Sequence, residues 1–306
     1  MRKQYIAVLL ALLPLAVACD RSSDFTEPSF LHVEAIKLVP PSQGAITNES
    51  GFYTSDIVAA LVYARRKGSN TLDTIGHFRL PFTTPVLING DVDYIDIAPA
   101  VKQSGSSTAL INYTFYHSIR ITDTTFRVGD TLRFDTLETT HTITRDDVLM
   151  YEMFEPTEGS LLFDSVMQWR PQAPQEACSG RGYGFVPVND STYTVDFSID
   201  RDFSVIDPLT HKLDPTRSVY MELDIRSDVD LKVFLVGAYL NGGSPNRVDV
   251  MNIYKCDEWT HLYINLWPTW KQLNFCNTFR VSFTAVNENL VNGEVRLDNV
   301  RILTMN

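Results

Sequence analysis

Apolar and polar residues alternate one by one along much of this chain, a period of two that predicts strands rather than helices. The clearest run is 191–200, where Tyr193, Val195, Phe197 and Ile199 share one face and Thr192, Thr194, Asp196 and Ser198 the other. Val219, Met221, Leu223 and Ile225 repeat the pattern, as do Leu262, Ile264 and Leu266, and then Phe279, Val281, Phe283 and Ala285. Turn formers separate these runs, at Asn241-Gly242-Gly243-Ser244-Pro245-Asn246 and Asn287-Glu288-Asn289. Short strands punctuated in this way predict a sandwich or barrel. The first half is strand-rich too, at 31–36, 94–97 and 108–122. One stretch, 56–66, is ambiguous, because Ile57, Ala60, Leu61 and Ala64 also fit a helical face. Val58, Val62 and Tyr63, with strands on either side, favour a strand there. No long amphipathic helix follows the leader.

The pattern changes at Tyr151-Glu152-Met153-Phe154-Glu155-Pro156-Thr157-Glu158-Gly159, which is acidic and ends in turn formers. A boundary near Pro156 divides the chain into 26–155, expected as an immunoglobulin-like β-sandwich, and 157–306, expected as a second and larger one.

Ahead of both lies a different kind of segment. Arg2 and Lys3 precede an uncharged, mostly apolar run from Tyr5 to Ala18. That run is too short for a membrane-spanning helix, which needs about 20 residues, and 1–18 reads as a secretory signal. Its end, Leu15-Ala16-Val17-Ala18-Cys19, resembles the lipobox of bacterial lipoproteins, although Ala16 stands where Leu is usual and Leu15 lies one step earlier. The resemblance implies acyl chains of the palmitate type on Cys19, a polar tether over 19–29 and a lipid-anchored place at the outer membrane, with its face left open. An ordinary cleaved signal peptide, with Cys19 incidental, is the alternative.

Charge narrows the partners. The formal net charge is −11, and loss of 1–18, with two basic groups and no acidic one, leaves −13. Such a chain is ill suited to nucleic acid or to anionic lipid surfaces. Hydrophobic residues make up 44% of the chain, enough for two proper cores. After Cys19 there remain Cys178, Cys256 and Cys276, so at most one internal disulfide can form. Cys256 and Cys276 are the nearer pair, and three free thiols are the equal alternative. None has a Cys or His neighbour at zinc-site spacing.

Three strand-like segments carry a family resemblance: Gly293-Glu294-Val295-Arg296-Leu297-Asp298-Asn299-Val300-Arg301-Ile302, Ser218 to Ile225, and Trp259 to Leu266. They make the C-terminal half similar to the jelly roll of carbohydrate-binding modules and galactose-binding-like domains. That likeness implies sugar binding and a structural calcium near the last strand, here at Asp298. In 30–39, 51–56 and 261–266 the whole chain also resembles uncharacterised two-domain outer-membrane lipoproteins of Bacteroidota. Six Asp-(Ser/Thr) triplets, beginning at Asp73, Asp123, Asp130, Asp135, Asp164 and Asp190, resemble O-glycosylation signals of exported proteins in that phylum.

Sugar recognition needs flat aromatic faces beside hydrogen-bonding groups. Trp259, Trp267 and Trp270, with Tyr254 and Tyr263, form the richest aromatic zone of the sequence. Trp259 and Tyr263 suit a core or rim. Trp267 and Trp270 flank Pro268 in an expected loop, so the ligand or partner surface is assigned to Trp267, Trp270 and Tyr254. For Asp298 a bulge competes with calcium, because the alternation of Val295 and Leu297 shifts phase at Val300 and Ile302. Zincin, nucleophile-elbow and phosphate-loop motifs are missing from the sequence. The expected function is therefore a non-catalytic subunit or accessory lipoprotein of an outer-membrane protein assembly. The alternative is a surface glycan-binding lipoprotein that uses the jelly roll.

Overall fold

The computed structural model describes residues 28–47, 50–86, 92–105, 108–122, 129–155, 166–171, 178–204, 217–239 and 243–305. Cys19 and the entire leader lie outside the described residues, as do the Asp123 triplet and Asp164 with Ser165. Among the described residues no helix is long and apolar enough to cross a membrane.

The first unit is a sandwich of two sheets. In one, β1 (Ser29–Leu38) lies between β4 (Phe82–Val86), antiparallel to it, and β8 (Thr131–Thr139), parallel to it. In the other, β3 (Leu72–Arg79), β2 (Ala59–Arg66) and β5 (Val92–Lys102) run side by side, and β5 continues to β6 (Leu110–Asn112) and β7 (Ile119–Thr122). The ambiguous segment around Ala60 is thus a central strand, whose Val62 packs with Leu31, Val33, Ile95 and Ile97 in the core.

The second unit is a jelly roll, and its pairing shows why. Strand β11 (Gly182–Val188) pairs with β18 (Gly293–Met305), β12 (Thr194–Ser198) with β17 (Thr278–Val286), β13 (Ser218–Ser227) with β16 (Cys256–Asn265), and β14 (Asp230–Ala238) with β15 (Asn246–Ile253). All four pairs are antiparallel and nested, as in one long hairpin rolled into two sheets. The pairs alternate between a sheet ordered β10 (Gln168–Pro171), β11, β18, β13, β16 and a sheet ordered β12, β17, β14, β15. Leu223, Ile225 and Leu297 from the first meet Val233, Leu235 and Phe283 from the second. At roughly 1.5–3 kcal/mol per fully buried large apolar side chain, this core is the main stabilising element.

Strand β9 (Val148–Glu152) moves the boundary between the units. Sequence reasoning puts it at the end of the first sandwich, but it hydrogen-bonds to β18 in the second. It serves both cores, with a break in register rather than simple alternation: Leu149 and Met150 pack in the jelly roll, while Val148 and Tyr151 pack against the first unit. The predicted phase shift in β18 is present, since Glu222 pairs with Arg301 and Asp224 with Asp298, two steps on β13 against three on β18. Asn299 absorbs the extra residue with φ at 50°.

Candidate functional site

Alternation gives β13 two faces. Met221, Leu223 and Ile225 point into the jelly-roll core, so Glu222 and Asp224 must point the other way. That outer face is buried nevertheless, because the first unit lies against it: Glu222, Asp298, Asn299 and Arg301 are completely inaccessible, and Asp224 nearly so.

Arg301 holds the units together. Its Nε donates to Glu222 Oε2 at 2.7 Å. Nη1 donates to the carbonyls of Phe52 at 2.8 Å and Gly51 at 3.3 Å, and Nη2 to that of Thr54 at 2.7 Å. These three carbonyls belong to a 3-10 turn at Ser50–Tyr53 and the residue after it, in the first unit. Tyr113, from the same unit, donates its hydroxyl to Glu222 Oε1. Gly51 fits because it has no side chain, as a Cβ there would lie 2.0 Å from Asn299 Oδ1. Backbone contacts extend the seam, with Asp56 N donating to Tyr263 Oη at 2.9 Å and Ser104 N to the Tyr263 carbonyl at 2.9 Å.

A second ion pair adjoins the first. His261, from β16, sits 2.8 Å from Asp224 through Nδ1 and 3.6 Å from Glu222 through Nε2. Asn299 Nδ2 donates to Asp224 at 2.6 Å, and Ser179 Oγ donates to Asn299 at 2.8 Å. Burial alone would raise Glu222, but the Arg301 guanidinium and His261 hold it well below the carboxylate range. Burial likewise disfavours charge on His261, yet Asp224 and Glu222 outweigh it and raise the imidazole. Two anions and two cations therefore balance. Burial, with Asp224 alongside, pushes Asp298 well above the usual carboxylate range.

The chemistry of this cluster is structural. His261 is clamped between carboxylates rather than poised on a nucleophile. Burial, Asp224 and Asp298 push the Cys178 thiol up, the reverse of what a reactive cysteine needs.

The cluster opens to solvent at one edge, into a polar cleft of about 630 Å³ between the two units. This is within the range of about 300–1,000 Å³ typical of small-ligand sites. The first unit contributes Lys37, Tyr53, Asp56 and Lys102, and the second Asp224, Trp259 and His261. Trp259, half-buried, meets Tyr183 edge-on with centroids 6.3 Å apart, which fixes its ring as a wall. Lys102 Nζ is 3.3 Å from Asp56 Oδ2.

Residues predicted from sequence are placed differently. Trp270 is a correction: it is only 2% exposed and belongs to the jelly-roll core. Pro268 does not mark a loop there but falls in the first turn of α1 (Trp267–Gln272), where a missing N–H costs nothing. The helix then turns Trp270 inward against Phe279. Trp267 is half-buried, packs on the same core and carries Lys271 Nζ 3.3 Å from its ring centre. Tyr254 is 75% exposed and lines a separate pocket with Asp228 and Asp230. The predicted Cys256–Cys276 bridge is also corrected, since all three cysteines of the described residues are free. Cys256 lies on β16, with its thiol 3.7 Å from the Ile225 carbonyl, whereas Cys276 is buried against Gly237 of the opposite sheet. Asp298 accepts from the amides of Asn299 at 2.8 Å and Ser179 at 3.3 Å. Among the described residues no group of three or more acidic, His or Cys side chains could hold a metal ion.

Sequence reasoning does not single out Lys37, Asp56, Lys102, Asp224 or His261. The one available signal is the charge at polar positions of a central strand, Glu222 and Asp224, opposite His261 on its neighbour.

No protein-family model matches the chain, and comparison with curated proteins gives no match. Solved structures do. The CBM22-1 xylan-binding domain from Paenibacillus barcinonensis is 16% identical, covers 52% of this chain and 94% of its own, and superposes with a TM-score of 0.35. The family 11 carbohydrate-binding module of a Clostridium thermocellum cellulosomal cellulase is 14% identical over 51% of this chain and 96% of its own, with a TM-score of 0.33. TmCBM61, solved with β-1,4-galactotriose, is 10% identical over 49% of this chain and 91% of its own, with a TM-score of 0.30. Scores this low carry nothing over to this chain, whose jelly roll rests on its own strand pairing.

Proposed function

We propose that this chain is a non-catalytic glycan-binding protein of the cell envelope, anchored through a lipid on Cys19, and that it holds saccharide in the cleft beside Trp259. The observation that carries this reading is the cleft itself, where an indole wall stands among amphoteric groups from two rigidly joined units. A sugar ring offers an apolar face for the indole and hydroxyls for the carboxylates and ammonium groups around it. The site is preorganised, because the buried ion cluster fixes both of its walls, and ordering costs on binding are correspondingly small. An assembly subunit, the function first expected from the sequence, would not need such a cavity.

A glycan array followed by titration of tryptophan fluorescence tests the reading. We expect saturable binding that weakens about tenfold or more in Trp259→Ala, equivalent to at least about 1.4 kcal/mol. Stoichiometric capture of a membrane protein with no array signal would return the function to an assembly subunit. Anchoring is tested separately: a fatty-acid probe should label the wild-type chain in cells and leave Cys19→Ser unlabelled, and an unlabelled wild type would remove the lipid anchor.

A further inference from the structure

The cleft beside Trp259 does not end at Tyr53. A second cavity of about 700 Å³ follows the loop after β1, and Lys37 and Tyr53 line both. Lys37 therefore stands at the boundary shared by the two cavities, which together make a groove.

The charges along this groove are unequal. Of its acidic groups, Asp56 is paired with Lys102 at 3.3 Å, and Asp224 is engaged by His261 at 2.8 Å and by Asn299 at 2.6 Å. Lys37 is exposed, and among the described residues no carboxylate lies within ion-pair distance of it; Glu138 is its neighbour across the β1–β8 ladder without forming a pair. Among the described residues that line the second cavity none is acidic. Three cations thus face two anions that are already paired, in a chain whose net charge is −11. The field of the whole protein repels an anionic ligand. A groove that keeps a free ammonium group at its centre counters that repulsion locally, and a neutral ligand gains little from it.

Resting on the glycan-binding reading above, we propose that the groove selects an acidic oligosaccharide, of the uronic-acid type, that runs across both cavities and places a sugar carboxylate on Lys37 Nζ.

The test uses a panel of uronic-acid oligosaccharides, each beside its carboxyl-reduced counterpart, titrated into the mature chain and into Lys37→Gln. The substituted side chain is exposed, and an unchanged melting temperature confirms that the fold is kept. The acidic sugars should bind about tenfold tighter than their reduced forms and weaken as ionic strength rises towards physiological. Lys37→Gln should erase that preference, bringing each acidic sugar to the affinity of its own reduced form. Equal binding of acidic and reduced sugars, unchanged by Lys37→Gln, would overturn the acidic preference and leave the glycan reading standing. Binding of neither set, with no response from Trp259, would remove both.

Discussion

The two faces of β13 are equally dry and held by different physics. On the inner face Met221, Leu223 and Ile225 are buried among Leu297, Ile302 and the strands of the opposite sheet, where any hydrophobe of fitting volume would serve. On the outer face Glu222 and Asp224 are buried against the first unit, where every charge needs a named partner at hydrogen-bond distance. The inner face forgives substitution and the outer face does not, and this explains how a sandwich can join a second domain with a fixed geometry. Hydrophobic contact alone would let the units slide. Directional bonds from one guanidinium to three carbonyls of a single turn set one register, and that register shapes the cleft.

The largest test of this contrast removes one charge. Arg301→Met should destabilise the protein by about 3–5 kcal/mol, because buried Glu222 loses its guanidinium counter-charge and the carbonyls of Gly51, Phe52 and Thr54 lose their guanidinium donors. Adding Glu222→Leu should recover part of that loss, as the uncompensated carboxylate goes, while the orphaned carbonyls keep the double variant below wild type. Urea denaturation followed by tryptophan fluorescence measures both. A cost below about 1 kcal/mol for Arg301→Met would mean that water reaches the seam, and the contrast between the faces would collapse.

How much of this the sequence reveals depends on which face is asked about. Strands with one apolar and one polar face were legible as such: Val219 to Ile225 is β13, Phe279 to Ala285 lies in β17, and the phase shift at Asp298 is a bulge. Alternation reports which side of a strand meets a hydrophobic core. It is silent on whether the polar side meets water or another unit, so Glu222 and Asp224 read as ordinary surface carboxylates. The cleft was illegible for the same reason, as Lys37 and Trp259 are far apart in sequence and meet only when the units dock. Trp270 fails differently, since Pro268 reads as a loop marker when its neighbours are unknown and as a helix start once Trp270 has a core to enter. Strand β9 precedes the expected boundary yet pairs with β18, because its side chains are shared between two cores.

The contrast can be sharpened with pH at a second polar residue of the first unit. His141 is buried among Phe52, Tyr53 and Tyr116, and among the described residues neither ring nitrogen makes a well-formed hydrogen bond, with only weak contacts to the Phe52 and Phe115 backbone. Burial, with the Arg301 charge nearby, lowers it from 6.5 to about 4. The native imidazole is therefore neutral where the unfolded one takes up a proton. Stability from this group is intact above about 6.5 and is lost as pH falls towards about 4, by on the order of 3 kcal/mol. His261 acts in the opposite sense: its raised value makes its contribution complete below the ordinary histidine range and lost as pH climbs through the folded value. His141→Phe keeps the aromatic packing and cannot titrate, so its stability should match wild type near pH 7 within about 1 kcal/mol and exceed it progressively below about 6.5. Subtracting the two denaturation curves at each pH isolates His141 from the carboxylates and from His261, which both proteins share. A difference that stays flat between pH 7 and pH 4 would show that His141 is charged or solvated in the folded protein, and the ring of aromatic residues around it would no longer count as a dry part of the seam.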